Sequence, residues 1–137
     1  MHITLEQPTG AHLVIRDGQE MPIPLTLRFT SDDPLAVHVD FPAHVAVGAE
    51  KVTWTFARAL LEEGLDARAG VGNVRIRPRG PQRTVVELHA PEGVAMICFD
   101  TPVLRRFLLR SYTVVEPGGE AIGAVLDDGL TAMFGAV

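Results

Sequence analysis

With 137 residues, 47% of them hydrophobic and 21% charged, the chain can bury one sizeable core but not two, and residues 1–137 read as a single domain. A formal net charge of −5 argues against non-specific phosphate binding as the main task, because that affinity comes from neutralising phosphates with Lys and Arg; a local basic patch stays open. The single cysteine, Cys98, lies in the apolar run Val94–Phe99, which excludes an intrachain disulfide and predicts a buried, inert thiol in a reducing cytoplasm. The start Met1-His2-Ile3-Thr4-Leu5 lacks signal-peptide character and no apolar run reaches roughly 18 residues, so neither export nor a membrane span is expected.

In chain order, Ala11 to Arg16 and Pro24 to Thr30 have strand patterning, and the turn-prone Asp17-Gly18-Gln19 between them predicts a hairpin. Leu25, Leu27 and Phe29 share one face of the second strand and Thr26, Arg28 and Thr30 the other, which gives a half-buried strand with a wet side. Leu35, Val37, Val39 and Phe41 alternate with polar or small residues, and after a loop through Gly48 so do Val52, Trp54 and Phe56. Four strands therefore precede a short amphipathic helix from Phe56 to Leu65, which Gly64 is expected to end in the left-handed C′ position.

After the loop Asp66–Asn73, the strand Val74–Pro78 is expected to pair with Arg83–Ala90. Parity places Val74 opposite Leu88, Ile76 opposite Val86 and Arg75 opposite Glu87, with a three-residue turn at Gly80-Pro81-Gln82. Ala90-Pro91-Glu92-Gly93 reads as a type I turn, so Val94–Phe99, apolar on both faces, folds back as a central or doubly covered strand. Thr101 and Pro102 form an N-cap and first-turn pair, opening a helix that buries Val103, Leu104, Phe107 and Leu108 and turns Arg105, Arg106 and Arg110 outward. Beyond Pro117-Gly118-Gly119 a last amphipathic helix is expected from Glu120 to Phe134, its apolar surplus at Met133, Phe134 and Val137 suited to self-association. Strand-to-helix passages occur twice, at Val52–Leu65 and Met96–Leu109, and predict an α+β fold of two packed antiparallel sheets with helices attached.

The chemistry-bearing residues are sparse. His38 and Asp40 share a strand face with His44 nearby, but no further pair at ligand spacing supports a metal site, and His12 and His89 lie on other strands. Ser31 and Ser111 lie in no elbow motif and Cys98 is patterned for burial, so no nucleophile, catalytic residue or cofactor is assigned. Gly70-Val71-Gly72 precedes a strand, so it is not a nucleotide fingerprint. Arg75, Arg77, Arg79 and Arg83 concentrate charge on one hairpin and form the alternative reading, a single-stranded nucleic-acid track. That track lacks aromatic platforms, since Trp54, Phe56, Phe99 and Phe107 are patterned for the core.

Asp33-Pro34-Leu35-Ala36-Val37-His38 followed by Trp54-Thr55-Phe56-Ala57-Arg58-Ala59-Leu60-Leu61-Glu62-Glu63-Gly64-Leu65 resembles the SsgA-like family, sporulation and cell-division regulators of actinomycetes. Gly70-Val71-Gly72-Asn73-Val74-Arg75-Ile76-Arg77-Pro78 and Pro91-Glu92-Gly93 are similar to the family's own blocks, with Asn73 where aspartate is more usual and Arg77 where an aromatic is common. Past Pro117 the similarity weakens. The resemblance implies a non-enzymatic, cytoplasmic protein at division septa that promotes sporulation septation by protein contacts and helps to position the tubulin-like FtsZ together with SsgA-type proteins. It further implies a Whirly-like architecture, a homotrimer, no nucleic-acid partner and only indirect membrane contact. Fold likeness alone transfers no DNA binding. Arg105, Arg106, Arg110, Met133 and Phe134 are the expected partner-binding residues.

Overall fold

A computed structural model describes residues 2–16, 18–43 and 50–119. The predicted last helix, with Met133 and Phe134, lies outside the described residues, as does His44. The chain forms β1 (Thr4–Arg16), β2 (Gln19–Thr30), β3 (Ala36–Phe41), β4 (Val52–Ala57), α1 (Arg58–Gly64), β5 (Val74–Arg79), β6 (Arg83–Ala90), β7 (Gly93–Asp100) and α2 (Thr101–Val114).

All seven strands belong to one antiparallel sheet in the order β4-β3-β2-β1-β7-β6-β5, curled into a half-barrel. This corrects the expectation of two packed sheets. The two strand-plus-helix units exist, but β1 joins them edge to edge. It pairs with β2 from Thr4↔Thr30 to Arg16↔Gln19, and its other edge meets β7 only at His12↔Cys98, Leu13↔Ile97 and Val14↔Met96. β2 in turn meets β3 only at Thr26–Arg28, so much of the long hairpin lacks a second neighbour on one edge or the other. Pro8, Pro22 and Pro24 fall on those stretches, where a missing amide proton costs no ladder bond and blunts the open edge.

The parity argument holds in the second half: Val74↔Leu88, Arg75↔Glu87 and Ile76↔Val86 pair, and Arg79↔Arg83 leaves the three-residue turn with Gly80 at φ 72°. β7, flanked by β1 and β6, is central as expected. The hydrophobic core lies on the sheet face carrying Leu25, Leu27, Phe29, Val37, Ile76, Val86, Ile97 and Phe99, and the helices cover it, α2 inserting Leu104, Phe107 and Leu108.

Three helix-end expectations are corrected. Gly64 is the last residue of α1, and Leu65 closes the helix with φ −71°, in the right-handed region. Gly64 is buried because α1 rests on β5 there: a Cβ at this position would run into the Ile76 side chain. Close packing, not turn geometry, requires this glycine. At α2 the N-cap is Asp100; Thr101 is already helical and fully packed, its Oγ1 2.8 Å from Thr84 Oγ1, while Pro102 occupies the first turn as expected. α1 is also shorter than its amphipathic pattern suggested, since Phe56 and Ala57 pair with Val37 and Ala36 as strand residues.

Candidate functional site

α2 is built so that one side is consumed by packing and the other is left to solvent. Leu104, Phe107, Leu108 and Ser111 are buried at helical spacing, which forces Arg105, Arg106, Leu109 and Arg110 to the outside. Leu109 is 59% exposed between the arginines, an apolar element of this strip that sequence patterning did not single out. Arg110 Nη1 donates to Gln7 Oε1 at 2.8 Å, and Gln7 Nε2 donates to the Val103 carbonyl at 3.3 Å, so the start of β1 fixes one end of the strip. Arg105 Nη2 stands 3.7 Å from Asp66 Oδ1 with both groups well exposed, a weak tether in water. Arg106 has no ion pair among the described residues. The three predicted arginines therefore lie together on one accessible helix face.

The other end of α2 is held by Arg58, a residue that sequence reasoning left in an ordinary amphipathic helix. It is 3% exposed. Its Nη1 donates to the carbonyls of Ser111 (3.2 Å) and Val115 (2.8 Å) and to the Ser111 hydroxyl (3.3 Å), and Nη2 donates to the Glu116 carbonyl (3.2 Å). The guanidinium also lies 4.8 Å from the Phe29 ring centre and 5.0 Å from that of Tyr112. A cation thus meets the carbonyl end of the helix dipole and fills acceptors that the last turn cannot satisfy itself. The only hint in the sequence is an arginine placed two residues after a core-facing Phe56.

The four hairpin arginines of the alternative reading are largely engaged. Arg83 donates through Nη2 and Nη1 to Glu20 Oε1 and Oε2 at 2.8 and 3.2 Å, and Arg79 approaches the same carboxylate at 3.8 Å. The Arg83 hydrogen bond holds the Glu20 carboxyl below the usual carboxylate range and raises the Arg83 guanidinium in return. Arg77 Nε donates to Glu87 Oε2 at 3.1 Å, replacing the cross-strand Arg75–Glu87 pair expected from register; Arg75 Nε donates instead to the Gly72 carbonyl at 3.1 Å. Glu87 is held low chiefly by its hydrogen bond to His89, with Arg77 adding to it.

The His38 and Asp40 pair is likewise used internally. Asp40 accepts from Arg28 Nε and Nη2 at 2.8 and 3.2 Å and from Thr53 Oγ1 at 2.6 Å, and the Arg28 hydrogen bond keeps its carboxyl below the ordinary range. His38 Nδ1 lies 2.8 Å from Thr55 Oγ1 and Nε2 lies 3.4 Å from Asp33 Oδ2. Among the described residues no group of three or more His, Cys, Asp or Glu side chains is placed to hold a metal ion. Ser111 Oγ is buried and donates to the Leu108 carbonyl at 2.6 Å, Ser31 Oγ accepts from the Ile3 amide at 2.9 Å, and Cys98 is fully buried. No described helix is long and apolar enough to cross a membrane.

Within the described residues these features define a small antiparallel-sheet domain with two helices, its Glu20, Asp40 and Glu87 carboxylates spent on structural ion pairs. The family model described as Streptomyces sporulation and cell division protein, SsgA, matches residues 23–120, and the chain belongs to that family. The sporulation-specific cell division protein SsgB of Salinispora tropica is 44% identical over 121 residues, covering 86% of this chain and 84% of that protein. SsgB of Streptomyces coelicolor is 37% identical over 124 residues, 88% of each chain. A solved structure described with mutations in SsgB that correlate to longitudinal cell division during sporulation of Streptomyces coelicolor superposes with a TM-score of 0.78 at 35% identity, covering 88% of this chain and 95% of that one. The crystal structure of an SsgA-like sporulation-specific cell division protein from Thermobifida fusca gives 0.77 at 31% identity, covering 97% and 96%. The family is one of sporulation and cell division, and the relatives carry no enzyme names.

Proposed function

We propose that this protein is a non-enzymatic regulator of sporulation septation that acts through protein contacts, in the manner of an SsgB, and helps to position FtsZ at future division sites. The observation that carries this reading is the outer face of α2, where Arg105, Arg106 and Arg110 surround the exposed Leu109. A basic strip with an apolar centre suits an acidic, partly apolar surface on a partner, because charge steers encounter and the leucine supplies buried area. In this account the protein works in the cytoplasm at division septa as a homo-oligomer, a trimer of Whirly-like subunits, together with SsgA-type proteins, and reaches the membrane only through partners. Met133 and Phe134 remain the proposed self-association residues of the last helix.

The nucleic-acid reading is the weaker one. Arg79 and Arg83 share Glu20 and Arg77 spends its Nε on Glu87, so a phosphate track along the whole hairpin would have to displace Glu20. A pull-down of purified division proteins on the immobilised chain tests the proposal: capture of FtsZ or an SsgA-type protein is expected, and failure to retain any septal protein contradicts it. An oligonucleotide titration at low salt separates the alternative, which requires salt-sensitive binding that Arg75→Ala and Arg77→Ala weaken.

A further inference from the structure

The loop between α1 and β5 lies against the outer edge of the sheet. Ala69 and Ile76 exchange two backbone hydrogen bonds, Ala69 N to Ile76 O at 2.8 Å and Ile76 N to Ala69 O at 2.9 Å. Both side chains point into the core, so the residues flanking them project from the opposite face. Arg68 is thereby set beside Arg77, and Gly70 beside Arg75. Gly70 contributes no side chain, and its φ of 98° suits glycine. Beside these residues is a cavity of about 250 Å³ lined by Arg68, Gly70, Arg75, Ile76, Arg77 and Glu87.

The charges around this cavity do not balance. Three arginines face one glutamate, an excess of two positive charges in a chain whose net charge is −5. Glu87 is already shared between His89 Nε2 at 3.0 Å and Arg77 Nε at 3.1 Å. Arg75 and Arg77 are both held through Nε, which orients the guanidinium while leaving its two terminal nitrogens without a partner among the described residues. Arg68 makes no hydrogen bond or ion pair among the described residues. Two oriented guanidinium groups on a strand, with a third arginine beside them on a loop, are an arrangement that suits recognition of an oxyanion.

We propose that this cavity is a phosphoryl-binding site that takes a small phosphate or phosphate monoester. A carboxylate is planar and is satisfied by one fork, whereas a tetrahedral dianion can use several at once and matches the surplus charge. The volume falls below the roughly 300–1,000 Å³ of sites for drug-sized ligands, which limits the ligand to a phosphoryl group with a short attachment. Arg79 and Arg83, tied to Glu20, take no part, so a single site forms instead of a phosphate track. This inference is independent of the septation reading.

The test is calorimetric titration of the full chain with inorganic phosphate and, separately, glycerol 3-phosphate, at constant ionic strength set with sodium chloride, with acetate as the planar control. Saturable binding is expected, weakened at least about tenfold in the Arg68→Gln, Arg75→Gln double variant and unchanged in an Arg105→Gln, Arg106→Gln control. Arg68→Lys, which keeps the charge and loses the fork, should fall between them. Tighter binding of glycerol 3-phosphate assigns the site to an esterified group, tighter binding of inorganic phosphate to the free anion, and equal binding to the phosphoryl group alone. Absence of saturation with both anions, acetate binding as well as they do, or full affinity in the double variant would overturn the proposal.

Discussion

Nη1 of Arg58 on α1 reaches the Ser111 carbonyl oxygen at 3.2 Å and the Ser111 hydroxyl at 3.3 Å, tying the end of one helix to the last turn of the other. Removing that side chain leaves the Val115 and Glu116 carbonyls without this donor and opens space beside Phe29 and Tyr112. Arg58→Ala should therefore lower unfolding stability by about 3 kcal/mol, read from urea denaturation, because buried acceptors lose a charged donor and packing is lost as well. Arg58→Lys should recover only part of this, since one ammonium cannot reproduce a planar fork that serves four acceptors. A surface-like change below about 0.5 kcal/mol for Arg58→Ala would contradict the role assigned to this residue.

Gly64→Ala sets two effects against each other. Alanine is the better helix former by about 1 kcal/mol, but its Cβ would strike Ile76 and push α1 off β5. The clash should win, giving a net loss of about 1–3 kcal/mol, whereas Ala59→Gly on the exposed side of the same helix should cost only the propensity term. A stabilised Gly64→Ala variant would contradict the close packing assigned to this glycine.

The contrast between these two residues shows what was readable in advance. Strand parity was legible at Val74, Ile76, Val86 and Leu88 because a one-residue slip would expose the whole apolar set, and the outward turn of Arg105, Arg106 and Arg110 followed from the stripe of Leu104, Phe107 and Leu108. The single sheet was not legible, because the union of its halves depends on three residues, His12 to Val14, whose outer edge carries no signature of a partner far along the chain. The first half of β1 was hidden for a related reason. Pro8 and Gly10 are residues that strands disfavour, yet they sit where β1 has no neighbour on its second edge. Arg58 was missed because its pattern is that of any charged residue opening an amphipathic helix, and only the tertiary fold brings the end of α2 over it. At the candidate surface, the arginines were foreseen and Leu109 was not, since an isolated leucine off the buried stripe gives no periodic signal.

Acid should weaken the first half of the sheet through Asp40. Its folded-state carboxyl is held below the ordinary value by the Arg28 hydrogen bond, so its contribution is complete above the unfolded-state value and disappears as pH falls through the folded one. Stability in urea should be steady from about pH 5 to 7 on this account and decline below about pH 4. Asp40→Asn should cost about 1–3 kcal/mol at pH 7 and flatten the acid limb, because the charge-assisted bonds from Arg28 are lost at every pH. An acid limb equally steep in Asp40→Asn would place the titrating group elsewhere.

Because Arg105, Arg106 and Arg110 make only exposed contacts, an Arg105→Ala, Arg106→Ala, Arg110→Ala variant should keep its unfolding stability within about 1 kcal/mol of the wild type. Co-sedimentation of both proteins with polymerised FtsZ is then the most direct test of a division protein that works through this helix face. The wild type should enter the pellet in proportion to polymer and the triple variant should stay in the supernatant. A wild-type chain that remains soluble beside fully formed polymers, or a triple variant that pellets equally well, contradicts the account.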